Sequence, residues 1–287
     1  MTDTTLSAWA VLLTLTALSA VGCGDGSPTG SGSEIAAELD DVEPIVISEA
    51  AALLKRARQP GLEERILICE RILRDYPDAP ESEEALHLLA QTHQARNEFD
   101  RAHARYTEQV TRYPGSHLNV RAHEYLWNYE KKISKDPDAY RSALERAIAD
   151  IGLYLENNPS EWDSSHGLDL ANTQLEAEDR EGALATYSRI AACEGEPNEA
   201  EAQVRITAQF HIGNIHFERG SLERAIEAFE RSGELVDLFA DRMPAIARDA
   251  YRESVAQSIE KARSATPAGA QDATGIDESA DRDSAGG

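Results

Sequence analysis

The chain has 287 residues, with 28 Lys and Arg against 52 Asp and Glu, and a formal net charge of -24. A surface this acidic repels phosphate backbones and anionic bilayers, so nucleic acid is excluded as a partner and any membrane attachment must be covalent or hydrophobic. The composition, 41% hydrophobic and 28% charged, is that of a globular protein. It carries no glycine-rich phosphate loop, paired zinc cysteines or nucleophile elbow, and no cofactor is expected.

Residues 6–21 are uncharged, too short a run for a comfortable membrane span and suited to the apolar region of a secretion signal. The run closes on Leu18-Ser19-Ala20-Val21-Gly22-Cys23. It resembles the lipobox of bacterial lipoproteins, which implies a signal peptide over 1–22 and a Cys23 that is acylated on sulfur and becomes the mature N-terminus. Several acyl chains on one residue hold a protein stably at a membrane where a single chain is marginal. Residues 23–44, rich in Gly and Ser and then in Asp and Glu, read as a flexible acidic tether. The far end, 265–287, reads as a disordered acidic tail.

From 45 to 264 apolar residues recur three or four apart, which predicts an all-α domain. Segments 47–59 and 62–76 form a degenerate first helix pair. Leu86, Leu89, Ala90 and His93, then Ala102, Tyr106 and Pro114, mark a second. Leu118, Ala122 and Tyr125, then Ala147, Ile151 and Pro159, mark a third, with residues inserted between its helices. Gly167, Leu170, Ala171 and Gln174, then Ala183 and Tyr187, mark a fourth. The clearest is the fifth, in which Ile212, Gly213 and His216 are followed by Gly220, Ala225 and Phe229. These offsets resemble the tetratricopeptide repeat, in which small residues let two antiparallel helices approach and an aromatic fills the gap to the next repeat. A last helix over 242–262, with Ala247, Tyr251, Val255 and Ile259 on one face, suits the polar-backed cap a solenoid requires. The expected fold is a right-handed solenoid of about five tetratricopeptide-like helix pairs plus this C-terminal capping helix.

The endings Tyr76-Pro77 and Tyr113-Pro114, together with the lipobox and the repeats, resemble the BamD-like outer-membrane lipoproteins. That resemblance implies a non-enzymatic, lipid-anchored scaffold in the cell envelope, facing the periplasm and binding other envelope proteins or peptides, with a role in outer-membrane protein assembly.

Stacked helix pairs present their first helices on a concave groove. The residues beside the small slots, Gln91, His123, Asn172 and Asn214, and their neighbours His87, Asn119, Asp169, Phe210 and Phe217 are the candidate partner-binding groove. An Asn or Gln there can both donate to and accept from an extended peptide backbone. Lys and Arg are scarce in the slot, so a clamp for a C-terminal carboxylate is not expected. Glu84 and His87 have the Glu-x-x-His spacing of di-iron bundles, but the motif does not recur and no metal is expected. Asp163, Ser164 and His166 are too close in sequence to act in series as a triad, and Ser164 or Ser165 reads as a helix N-cap. Cys69 and Cys193 fall in non-adjacent repeats and read as fillers rather than a disulfide. The alternative function is a periplasmic solute-binding protein or enzyme that uses the acidic groove.

Overall fold

The computed structural model describes residues 48–59 and 61–265. The expected signal peptide, Cys23, the tether and all but the first residue of the tail lie outside them. Within them are eleven α-helices and no strand. They are α1 Glu49–Ala57, α2 Leu62–Asp75, α3 Glu81–Ala95, α4 Phe99–Arg112, α5 Asn119–Tyr129, α6 Pro137–Asn157, α7 Ser165–Glu176, α8 Arg180–Ala191, α9 Glu199–Glu218, α10 Leu222–Leu238 and α11 Ala245–Ser264. Each helix packs on the next in sequence, and α1 also on α3 and α7 on α9. The result is a helical solenoid of five pairs closed by α11.

The turns are set by local chemistry that recurs from pair to pair. Between α3 and α4, α7 and α8, and α9 and α10, one residue adopts a left-handed conformation: Asn97, Glu178 and Gly220, at φ 60°, 60° and 71°. In each case the next N–H reaches back to a carbonyl five residues earlier, Glu98 to His93, Asp179 to Gln174 and Ser221 to His216, at 2.8–2.9 Å. This Schellman closure satisfies carbonyls left open at a helix end. Where the second helices end, Tyr76, Tyr113 and Asn158 take almost the same conformation, φ -135°, -126° and -128° with ψ 51°, 62° and 70°. Each precedes a Pro, which disfavours helical geometry in the residue before it. Helix starts are capped by Ser48, Asp136, Ser164 and Asp179, and Asn198 forms a reciprocal capping box with Glu201.

The small and aromatic slots form the core between repeats. Ala102 and Tyr106, Ala147 and Ile151, Ala183 and Tyr187, and Ala225 and Phe229 are all at most 2% exposed. Ala90, Ala102 and Tyr106 pack with Ala122 and Leu126 of the following pair. Ala171, Ala183 and Tyr187 do the same with Val204, Ala208 and Ile212. A Cβ on Gly213 would lie 2.5 Å from the Phe229 ring. Gly213→Ala is therefore expected to cost about 1–2 kcal/mol by chemical denaturation even though Ala is the better helix former, because the ring must move.

The third pair departs from the others. In place of the short turn it has a π-helical turn, Glu130–Ser134, and a left-handed Lys135 at φ 57°. Its register also differs from the one that Leu118, Ala122 and Tyr125 suggest. The buried positions of α5 are 119, 120, 122, 123 and 126, of which 119, 122, 123 and 126 match 86, 89, 90 and 93 of α3 and 167, 170, 171 and 174 of α7. His123, not Ala122, thus stands in the small slot. Leu118 lies outside α5, as the residue before its first turn.

Candidate functional site

The nine groove candidates lie on α3, α5, α7 and α9, the first helices of the second to fifth pairs. Four of them are joined in one hydrogen-bonded chain across the boundary between the second and third pairs. Gln91 Nε2 lies 2.8 Å from His87 Nε2, and His87 Nδ1 lies 3.1 Å from Gln109 Oε1. Gln109 Nε2 donates to Asn119 Oδ1 at 3.1 Å, and Asn119 Nδ2 donates both to the Tyr113 carbonyl at 2.7 Å and to Asp150 Oδ2 at 2.8 Å. His123 Nε2 reaches the same Asp150 oxygen at 2.9 Å, and the Gly115 N–H bonds the other one.

His87, Asn119 and His123 are buried, and the chain of bonds takes both ring nitrogens of His87, the Asn119 amide and the Nε2 of His123. Gln91 is the half-buried end of the chain. Burial pushes the Asp150 carboxyl up, but the bonds from His123, Gly115 and Asn119 together outweigh it and hold the group below the usual carboxylate range. Burial also lowers the pKa of His87.

The other five candidates are apart from this chain. Asn172 is exposed, and its Oδ1 accepts from the Tyr187 hydroxyl at 2.6 Å. Asn214 holds the equivalent position in the fifth pair, but the aromatic there is Phe229, which has no hydroxyl. The Asn214 Nδ2 is buried without a hydrogen-bond partner among the described residues. Phe210 packs on Phe229 with ring centroids 5.3 Å apart, and the Lys261 ammonium sits 4.9 Å above the Phe217 ring. Both Phe side chains pack against the cluster that includes Val255 and Ala262 of α11. The cap thus covers them.

Asp169 is half-buried. Burial, with a smaller contribution from Glu124 and against the attraction of Arg121, pushes its carboxyl up to about 6. A carboxyl that binds its proton more tightly when folded favours the folded state at low pH, and that advantage is lost as pH rises from about 4 to about 6. Asp169→Asn is expected to remove this loss and to stabilise the protein at neutral pH by roughly 1–2 kcal/mol, a figure reduced for partial exposure. Thermal melts of both forms at the two ends of that pH range check it.

Sequence reasoning missed Arg121 and Glu124, both exposed on α5. The one-residue shift of register moves Glu124, not His123, into line with Gln91, Asn172 and Asn214. It also missed Gln109 and Asp150. Gln109 had a usable signal: it follows Tyr106 by three residues, as the buried Ile190 follows Tyr187, so a polar side chain stands at a core position.

Among the described residues no group of three or more His, Cys, Asp or Glu is placed to hold a metal ion. Ser164 caps α7, accepting from the His166 N–H at 3.1 Å, while Asp163 points instead to Arg205. Cys69 and Cys193 are both free thiols. No helix among the described residues is long and apolar enough to cross a membrane.

No family model matches the sequence, and no curated protein matches it. Solved structures do resemble the fold. A thermophilic TPR protein of Thermus thermophilus, TTC0263, is 16% identical with a TM-score of 0.40, over 74% of this chain and 99% of that one. The MamA RS-1 ArsTM double mutant is 15% identical with a TM-score of 0.42, over 66% and 96%. The structure of Naa15/Naa10 bound to HypK-THB gives 14% identity and a TM-score of 0.30, over 76% of this chain and 40% of that one.

Proposed function

We propose that this chain is a lipid-anchored scaffold that binds cell-envelope proteins through the face formed by α3, α5, α7 and α9. The observation that supports it is the repeated placement of polar side chains on that face at equivalent positions, Gln91, Glu124, Asn172 and Asn214, beside Arg121 and Asp169. Amides and mixed charges at a regular spacing suit the backbone of an extended segment better than a small solute. Acylation of Cys23 would hold the scaffold at the membrane surface, in the periplasm and at the outer membrane, while the helices remain outside the bilayer. The test is fractionation of cells carrying the intact chain or Cys23→Ser, with crosslinking and mass spectrometry of the membrane pool. Retention that needs Cys23, with envelope proteins crosslinked to the first-helix face, is the expected result. A soluble protein in both strains removes the anchor, and a membrane pool with no crosslinked protein removes the scaffold. A role in outer-membrane protein assembly further requires that depletion lower the amounts of outer-membrane barrels, and unchanged barrels would exclude it.

A further inference from the structure

The hydrogen-bonded chain from Asp150 to Gln91 can run in only one direction. Asp150, ionised, and the Tyr113 carbonyl only accept, so the Asn119 group facing both must be its amide nitrogen. That orientation turns Asn119 Oδ1 toward Gln109, which must donate. Gln109 then offers its carbonyl to His87, so His87 must carry its proton on Nδ1. The neutral ring has a bare Nε2, and Gln91 must donate its amide N–H to it. The Gln91 groups that make no hydrogen bond among the described residues are its carbonyl oxygen and its second amide N–H, at the half-buried end of the chain.

We propose that Gln91 presents its side-chain carbonyl on the first-helix face as a fixed hydrogen-bond acceptor, oriented from Asp150 through Asn119, Gln109 and His87, and that it takes an N–H donor of an extended partner segment. The donor's source rests on the groove reading above, whereas the polarity rests on the chain alone. A free glutamine on a helix surface rotates and offers either end. This one is held by a buried network whose members reinforce one another, so its oxygen keeps one position, and a partner that offers a carbonyl to that oxygen meets another acceptor. Asn119, Gln109 and His87 are positioning residues: they fix which atom of Gln91 faces outward.

Nitrogen-15 NMR of the full chain labelled at His and Gln tests the polarity without a partner, His87 being assigned from the signal lost in His87→Gln. A neutral His87 protonated on Nδ1, with a Gln91 side-chain amide proton protected from exchange, is expected. A neutral ring protonated on Nε2, or a Gln91 amide that exchanges freely, overturns the proposal. Binding of a partner crosslinked to the intact chain tests the donor. Gln91→Met, which offers neither group, and Gln91→Lys, which only donates, both weaken it roughly three- to tenfold. Undiminished affinity in Gln91→Lys overturns the donor assignment. An intact chain that holds no partner overturns the groove reading, a failure distinct from a wrong tautomer.

Discussion

Arg205→Met is expected to destabilise the C-terminal third of the solenoid by about 3–5 kcal/mol, because it leaves a buried carboxylate without its counter-charge. Arg205 and Asp163 are 6% and 8% exposed. Arg205 donates to one Asp163 oxygen from Nε at 3.0 Å and from a terminal nitrogen at 2.6 Å. Two of the remaining N–H groups reach the carbonyls of Gly195 and Glu194 at 3.0 and 3.1 Å. One side chain on α9 therefore ties together the loop before α7 and the loop after α8. Beside the pair, the Arg189 guanidinium lies 3.6 Å over the Trp162 ring. A solenoid is held by its neighbour interfaces, so the loss should fall on α9 to α11 rather than on the whole chain. Hydrogen exchange read by mass spectrometry should show those helices opening first. The double variant Arg205→Met with Asp163→Leu should recover most of the stability, since replacing both partners with apolar groups removes the unpaired charge. If the single variant exchanges like the parent protein, the pair has no structural weight.

The parts of this molecule legible in the sequence are those in which one local rule decides. Ala102 with Tyr106, Ala183 with Tyr187 and Ala225 with Phe229 are legible because close packing of two helices requires a small residue and an aromatic four positions apart. Gly220 is legible because only a left-handed residue closes that turn cheaply, yet Asn97 and Glu178 make the same turn without glycine and give no comparable sign. The register of α5 was hidden because His123 occupies a slot filled elsewhere by Ala or Gly, where Asp150 binds its buried ring nitrogen. For the same reason His87, Asn119 and His123 read as a solvated groove. Periodicity places them on the correct helices, but polar side chains at a repeat boundary are drawn inward by partners distant in sequence, Gln109 and Asp150, which no local pattern pairs with them. Phe210 and Phe217 also read as groove residues, for a different reason: as the fifth pair is the last, α11 stands where a further repeat would begin and covers them.

Asp150→Ala is expected to cost roughly 3 kcal/mol or more, because three donors, from Gly115, Asn119 and His123, lose one shared acceptor in a largely buried site, at about 1–3 kcal/mol for each donor left unpaired. The effect should also depend on pH, and its sign follows from the depressed pKa of the carboxyl. In the unfolded chain Asp150 binds its proton near the ordinary carboxylate value of about 4, and in the folded chain only below that. Its stabilisation is therefore complete above about pH 4 and is lost as pH falls through the folded value. The parent protein should thus lose stability on acidification in a step that Asp150→Ala lacks, and the two curves should converge at low pH. Denaturant titrations from neutral to about pH 3 measure the difference. Parallel curves over that range would mean that Asp150 does not carry the network in its ionised form. Because Asn119 takes its orientation from this carboxylate together with the Tyr113 carbonyl, and Gln109 and His87 follow it, the same variant should loosen the Gln91 amide. Loss of stability and a less firmly held acceptor on the first-helix face then have one cause.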